Sequence, residues 1–203
     1  MMNKEFVSIN RYKVQFTIIT AFILSLLIIV IIYDSNKQTL QAKITNAANA
    51  NKPQGISTDN SALAMMESVQ NLLSELKSDP NNYDLIVQAG NAFFDIGRYQ
   101  QAIQYYKKAV QIQSVTELYV DMGVCYFNLG HLDSALTIMN EGIKTSPNHK
   151  QGLYNIGIVL YNLGDTDGAV LKWQQLIKAH PNTAEAIRVQ QYIDEIKNVQ
   201  TGT

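Results

Sequence analysis

Three histidines, one cysteine and a close pair of aspartates are the residues of this chain that come nearest to chemistry. His131, His149 and His180 each fall at a junction between helical patterns, with no carboxylate or cysteine at ligand spacing. A metal centre needs several such donors converging on one point, so all three read as solvated turn residues. Cys125 has no sequence-evident base, and it fills a slot held elsewhere in the chain by Ala92 and Val159. A lone cysteine in a small apolar position reads as a buried core thiol, and it excludes any disulfide within the chain. Asp165 and Asp167 look like a catalytic carboxylate pair, yet "GDTDGA" (164–169) is a turn entering a helix. There an aspartate caps the first free backbone N–H groups. No glycine loop cradles phosphate. The expectation is a non-enzymatic protein with no catalytic residue, no metal, no cofactor and no small-molecule substrate.

Composition points the same way. Charged residues are 16% of the 203 and the net charge is −1, so no global field recruits nucleic acid. What must be explained instead is a set of glycines inside helical patterns, each costing about 1 kcal/mol relative to alanine. "GNAFFDIGRYQQA" (90–102), "GVCYFNLGHLDSA" (123–135) and "GIVLYNLGDTDGA" (157–169) share a frame: Gly, Gly seven residues later, Ala twelve residues after the first. Their starts lie 33 and 34 residues apart. A fixed period of that size marks stacked structural repeats.

Each unit holds two helical patterns. Ile86, Ala89, Gly90 and Phe93 recur at three- and four-residue spacing and form one apolar face. Gly97, Gly130 and Gly164 end such a pattern, where a residue free to take positive φ caps a helix. A second pattern follows through Ala102, Ile103, Tyr106, Ala109 and Val110. Gly90, Gly123 and Gly157 then let a partner helix approach closely, with Ala102, Ala135 and Ala169 as the expected counterparts on it.

These features resemble the tetratricopeptide repeat (TPR) family, whose unit is a 34-residue helix–turn–helix. The family's small residue matches Gly90, Gly123 and Gly157, and its following aromatic matches Phe93 and Tyr126, with Leu160 departing. Its alanine matches Ala102, Ala135 and Ala169, and its next bulky position matches Tyr106, Met139 and Trp173. Its second small residue matches Ala109 and Gly142, with Leu176 departing, and its terminal proline matches Pro147 and Pro181, with Ser114 departing. The resemblance implies an all-α class: a TPR α-solenoid of three repeats (83–115, 116–149 and 150–183), with capping helices at 61–79 and 184–199.

"VQFTIITAFILSLLIIVIIY" (14–33) carries no charge. At about 1.5 Å per residue it reaches roughly the 30 Å thickness of a bilayer's hydrocarbon core. The sequence reading is therefore a transmembrane helix over 14–33 that contacts the lipid bilayer, after a cytoplasmic tail (1–13) and before a polar linker (34–60). Lys4, Arg11 and Lys13 precede this stretch and Lys37 and Lys43 follow it. The positive-inside bias then predicts a single-pass protein of the inner or cytoplasmic membrane with an extracytoplasmic repeat domain. This layout resembles the membrane-tethered TPR subunits of c-type cytochrome maturation, which implies an adaptor presenting a protein segment for assembly.

The remaining candidate is a surface. On the first helix of each repeat, the face turned from its partner should line the concave side of the superhelix. It carries Val87, Asn91 and Phe94, then Val120, Val124 and Phe127, then Tyr154, Ile158 and Tyr161. Asp84, Glu117 and Gln151 open the same rows, and Asn128, Asn155 and Asn162 lie beside them. Rings can take apolar side chains of a protein or peptide client while carboxamides bond its backbone. The lysine and arginine cluster by which some TPR domains clamp a terminal carboxylate is absent from this face. The alternative is a structural scaffold of an envelope, secretion or pilus complex that works through its convex face.

Overall fold

The computed structural model describes residues 59–201 and, before them, residues 34, 37–39 and 41–43. Eight successive helices make up the 59–201 region: α1 (Asp59–Ser78), α2 (Tyr83–Asp95), α3 (Tyr99–Ile112), α4 (Thr116–Asn128), α5 (Leu132–Gly142), α6 (Lys150–Asn162), α7 (Thr166–Ala179) and α8 (Ala184–Thr201). Among the described residues there is no strand.

Helix ends follow from local chemistry. Gly97, Gly130 and Gly164 hold φ of +73°, +79° and +86°, a conformation that costs other residues roughly 1–2 kcal/mol. Each sits in the same closing motif. Arg98 N–H donates to Phe93 O (2.8 Å) and Gly97 N–H to Phe94 O (2.9 Å), and the pairs after α4 and α6 repeat this arrangement. At the N-termini, Asn82 Oδ1 accepts from Leu85 N–H (3.1 Å) and Asp165 Oδ1 from Gly168 N–H (2.9 Å). Asp165 is thus a cap, as the sequence implied.

Packing is antiparallel within each pair (α2–α3, α4–α5, α6–α7), and the second helix of each pair also meets the first helix of the next unit. α4 packs against α6 as well, so the first helices form one layer and the second helices the other. The close approaches involve a different partner from the expected alanines. A Cβ on Gly90 would meet Tyr106 Cε1 at 2.6 Å, one on Gly123 would enter the Met139 side chain, and one on Gly157 would enter the Trp173 indole. The glycine makes room for a large side chain, while Ala102, Ala135 and Ala169 are simply buried. Only in the second repeat does the alanine contribute, through its carbonyl.

The apolar core runs as a seam along the stack. Val69 and Leu76 of α1 join Ile86, Phe93, Ile103 and Tyr106. Met139, Ile143 and Ile156 continue it, and Trp173, Leu176, Val189 and Ile193 complete it. Each unit buries its stripe within its own helix pair and against its neighbours, as in a solenoid.

The membrane-spanning element of the expected fold class is corrected. Among the described residues no helix is long and apolar enough to cross a membrane, and the stretch 14–33 lies outside them, as does the tail 1–13. A span needs about 20 consecutive apolar residues. The two longest described helices instead alternate a buried stripe with charge, through Glu67, Glu75 and Lys77 on α1 and Arg188, Asp194 and Lys197 on α8. The architecture is therefore an all-α solenoid, and the single-pass membrane localisation is overturned with the span.

Candidate interaction groove

The nine groove residues lie on the first-helix layer, but the structure treats them unequally. In the first repeat Asn91 is exposed, and Val87 and Phe94 are half-buried, with Phe94 edge-on to Tyr99 (5.7 Å between ring centres). In the second, Val124 and Phe127 are half-buried, while Val120 is covered by the start of α6. In the third repeat Tyr154, Ile158 and Tyr161 are all buried, at 0%, 2% and 5% exposure. Their cover is α8, which lays Ala186, Val189, Tyr192, Ile193 and Ile196 into the same cluster. Trp173 completes it with ring centres 6.3 Å from Tyr161 and 5.7 Å from Tyr192, and its indole N–H donates to Tyr154 O (3.2 Å). The open groove is thus the work of the first two repeats.

The carboxamides are largely engaged with their own helices. Asn128 and Asn162 each donate to a carbonyl four residues back, Val124 O and Ile158 O, both at 2.8 Å. Asn155 Oδ1 accepts from Gln151 Nε2 (3.4 Å). Asn91 is used differently: its Oδ1 accepts from the Tyr106 hydroxyl (2.9 Å), which arrives from the second helix of the repeat.

Around that hydroxyl the structure brings together residues not singled out from the sequence. Burial holds the Tyr106 phenol well above its ordinary pKa, and Asp121 in the middle of α4 and Asp95 at the end of α2 add to that rise, so the hydroxyl stays protonated. Burial, with Glu117 adding repulsion, pushes the Asp121 carboxyl up to about 6. Partial desolvation raises Asp95 as well, although the residue is largely exposed. Cys125, one turn beyond Asp121, is pushed up to about 12 by burial and then by Asp121, so it is a core thiol rather than a nucleophile. A visible signal existed: Glu117, Asp121 and Cys125 form one i, i+4 row. That Tyr106 would reach the same place from the other helix had no local signature.

The histidines hold connections rather than ligands. His149 Nδ1 accepts from Gly152 N–H (3.1 Å) at the start of α6, and its Nε2 lies 3.3 Å from Glu117 Oε1. His180 Nε2 donates to Asn148 O (2.6 Å). His131 precedes α5 without a side-chain cap. Both His149 and His180 are therefore half-buried links, more engaged than solvated turn residues. Among the described residues no group of three or more His, Cys, Asp or Glu side chains could hold a metal ion.

A family model described as the "Tetratricopeptide repeat protein 21 forth ARM domain" matches residues 85–198, more than half of the chain. The chain belongs to the tetratricopeptide repeat family. Solved structures share the TPR fold at low identity. MamA is 19% identical with a TM-score of 0.57, covering 72% of this chain and 98% of its own. A TPR protein from Parabacteroides merdae is 16% identical with a TM-score of 0.60, covering 83% of this chain and 61% of its own. The first TPR of Spaghetti (RPAP3), solved bound to the HSP90 peptide SRMEEVD, is 19% identical with a TM-score of 0.51 and covers 59% and 91%. No curated protein matches the sequence. A TPR array of this kind presents a concave surface of the sort repeat proteins use for binding.

Proposed function

We propose that this TPR protein is a non-enzymatic interaction module that holds a segment of a partner protein in the groove of its first two repeats. The observation that carries this reading is the half-exposed apolar floor of Val87, Phe94, Val124 and Phe127 beside the exposed Asn91. Outside the packed seam those side chains gain about 25 cal/mol for each Å² that a partner covers. Peptide capture by the RPAP3 domain supports the same use of the fold. Tyr154, Ile158 and Tyr161 support the groove from beneath α8 and do not meet the client. The cytochrome-maturation role drew on the membrane-tethered layout and is set aside with it.

A scaffold reading has one observation of its own. Leu171 on α7 is 66% exposed and Ile112 at the end of α3 is 50% exposed, so the second-helix layer offers isolated apolar contacts. They are scattered rather than joined into a patch, and single exposed apolar residues are ordinary.

The test is selection of short random peptides displayed on phage against the full chain, with Phe94→Ala/Phe127→Ala as the comparison. The groove reading expects an enriched pool whose binding falls at least several-fold on the double variant. It is abandoned if no pool enriches over bare support, or if the pool binds both proteins alike while Leu171→Ser removes it.

A further inference from the structure

The open groove has an uncompensated charge. The two first helices that build it carry Asp84, Asp95, Glu117 and Asp121 and neither a lysine nor an arginine, and Asp95 and Asp121 both act on Tyr106, whose hydroxyl reaches the exposed Asn91 at 2.9 Å. The ion pairs of the described residues involve neither Asp95 nor Asp121. Asp84 lies three turns before Asp95 on α2, and Glu117 lies one turn before Asp121 on α4. Beyond Gln88 the strip continues into a surface hollow of about 390 Å³ lined by Glu67, Asn71 and Glu75 of α1. The two lysines of α3 are engaged with rings, Lys107 over Tyr126 and Lys108 over Tyr105.

A carboxylate drawn out of water without a partner is held at a cost that an entering cation removes. The apolar floor beside it selects for the same ligand to be amphipathic. We propose that the groove of the first two repeats receives a basic amphipathic segment of a partner protein, with Lys or Arg side chains on the carboxylates of its first helices, Asp95 and Asp121 among them, and apolar side chains over Val87, Phe94, Val124 and Phe127. This rests on the groove reading above and adds the charge of the client to it. An acidic tail is disfavoured, because every charge it brought would meet a like charge at close range.

The peptide pool selected on the full chain tests it. The expected pool is enriched in Lys and Arg relative to the starting library, and replacing those residues with Gln in synthetic peptides weakens binding about tenfold. Asp95→Asn/Asp121→Asn is expected to abolish that difference while still binding the Gln versions. Binding of the basic peptides should also weaken on going from about pH 7.5 to about pH 5, because Asp121 gains its proton across that range. The titratable groups that interact with Asp121 are Glu117, Cys125 and Tyr106, so the double variant should lose most of this pH dependence. Circular dichroism confirms that the variant is folded. A pool without basic enrichment, or one indifferent to the Asn variants, overturns the charge assignment. If that pool is still lost on Phe94→Ala/Phe127→Ala, the groove reading survives alone. A pool of basic peptides that binds every variant equally overturns both.

Discussion

The methyl group that Gly157 lacks would fall inside the indole of Trp173, four residues beyond Ala169 on the facing helix. The same indole donates its N–H to Tyr154 O at 3.2 Å and is fully buried. A glycine on one helix and the largest side chain on its partner therefore form one fitted unit, so they should be energetically coupled.

Gly157→Ala is expected to cost about 1–3 kcal/mol through overpacking. Gly97→Ala meets no neighbour within 4 Å, and its cost of roughly 1–2 kcal/mol comes from positive φ alone. Denaturant titration separates the mechanisms. Trp173→Phe should relieve part of the Gly157→Ala penalty in a double-mutant cycle and leave Gly97→Ala unchanged.

α8 covers Tyr154, Ile158 and Tyr161, so ending the chain before Ala184 should strip the third repeat of its lid. The expected outcome is a lower melting temperature and binding of a hydrophobic dye. In the intact chain, Ile193→Ala at a 1% exposed site should cost about 2–5 kcal/mol. A truncated chain as stable as the full one would mean that the α8 packing contributes nothing.

Asp121 links stability to pH. Its carboxyl keeps a proton up to about 6 in the folded chain, against 3.8 ordinarily. Between those values the folded state binds more protons than the unfolded one, so stability falls as pH rises through that window. Above it the loss is complete, on the order of 2 kcal/mol. Asp121→Asn should be more stable than the parent at about pH 7.5, with the gap closing near pH 4. Urea midpoints at both pH values give the comparison.

Cys125 has 0% exposure and a thiol pushed up to about 12. Iodoacetamide at about pH 8 should leave the native chain unmodified and label it once unfolded, since only thiolate reacts. Mass spectrometry reads the result, and rapid native labelling would place the thiol at the surface.

The pairing of helices was legible because its causes are local. Gly97 can end α2 because glycine takes positive φ at little cost. Ile86, Ala89 and Phe93 share a face because 3.6 residues make a turn. The groove was legible only as a set of rows. Phe94, Phe127 and Tyr161 occupy equivalent positions, yet Tyr161 is buried because the helix after the third repeat lies on it while the first two repeats leave their rings half open.

The sequence by itself determined the repeat, its two helices, its caps and the amphipathic stripes, because periodicity and backbone preference act within a few turns of chain. Tertiary structure alone decided three matters: which third of the predicted groove α8 closes, which side chain fills the space at each glycine, and which carboxylates of different repeats act on Tyr106. Those depend on helix crossing and on how one unit seats on the next. That seating is set by the combined shape and desolvation of side chains far apart in sequence, which no local spacing encodes.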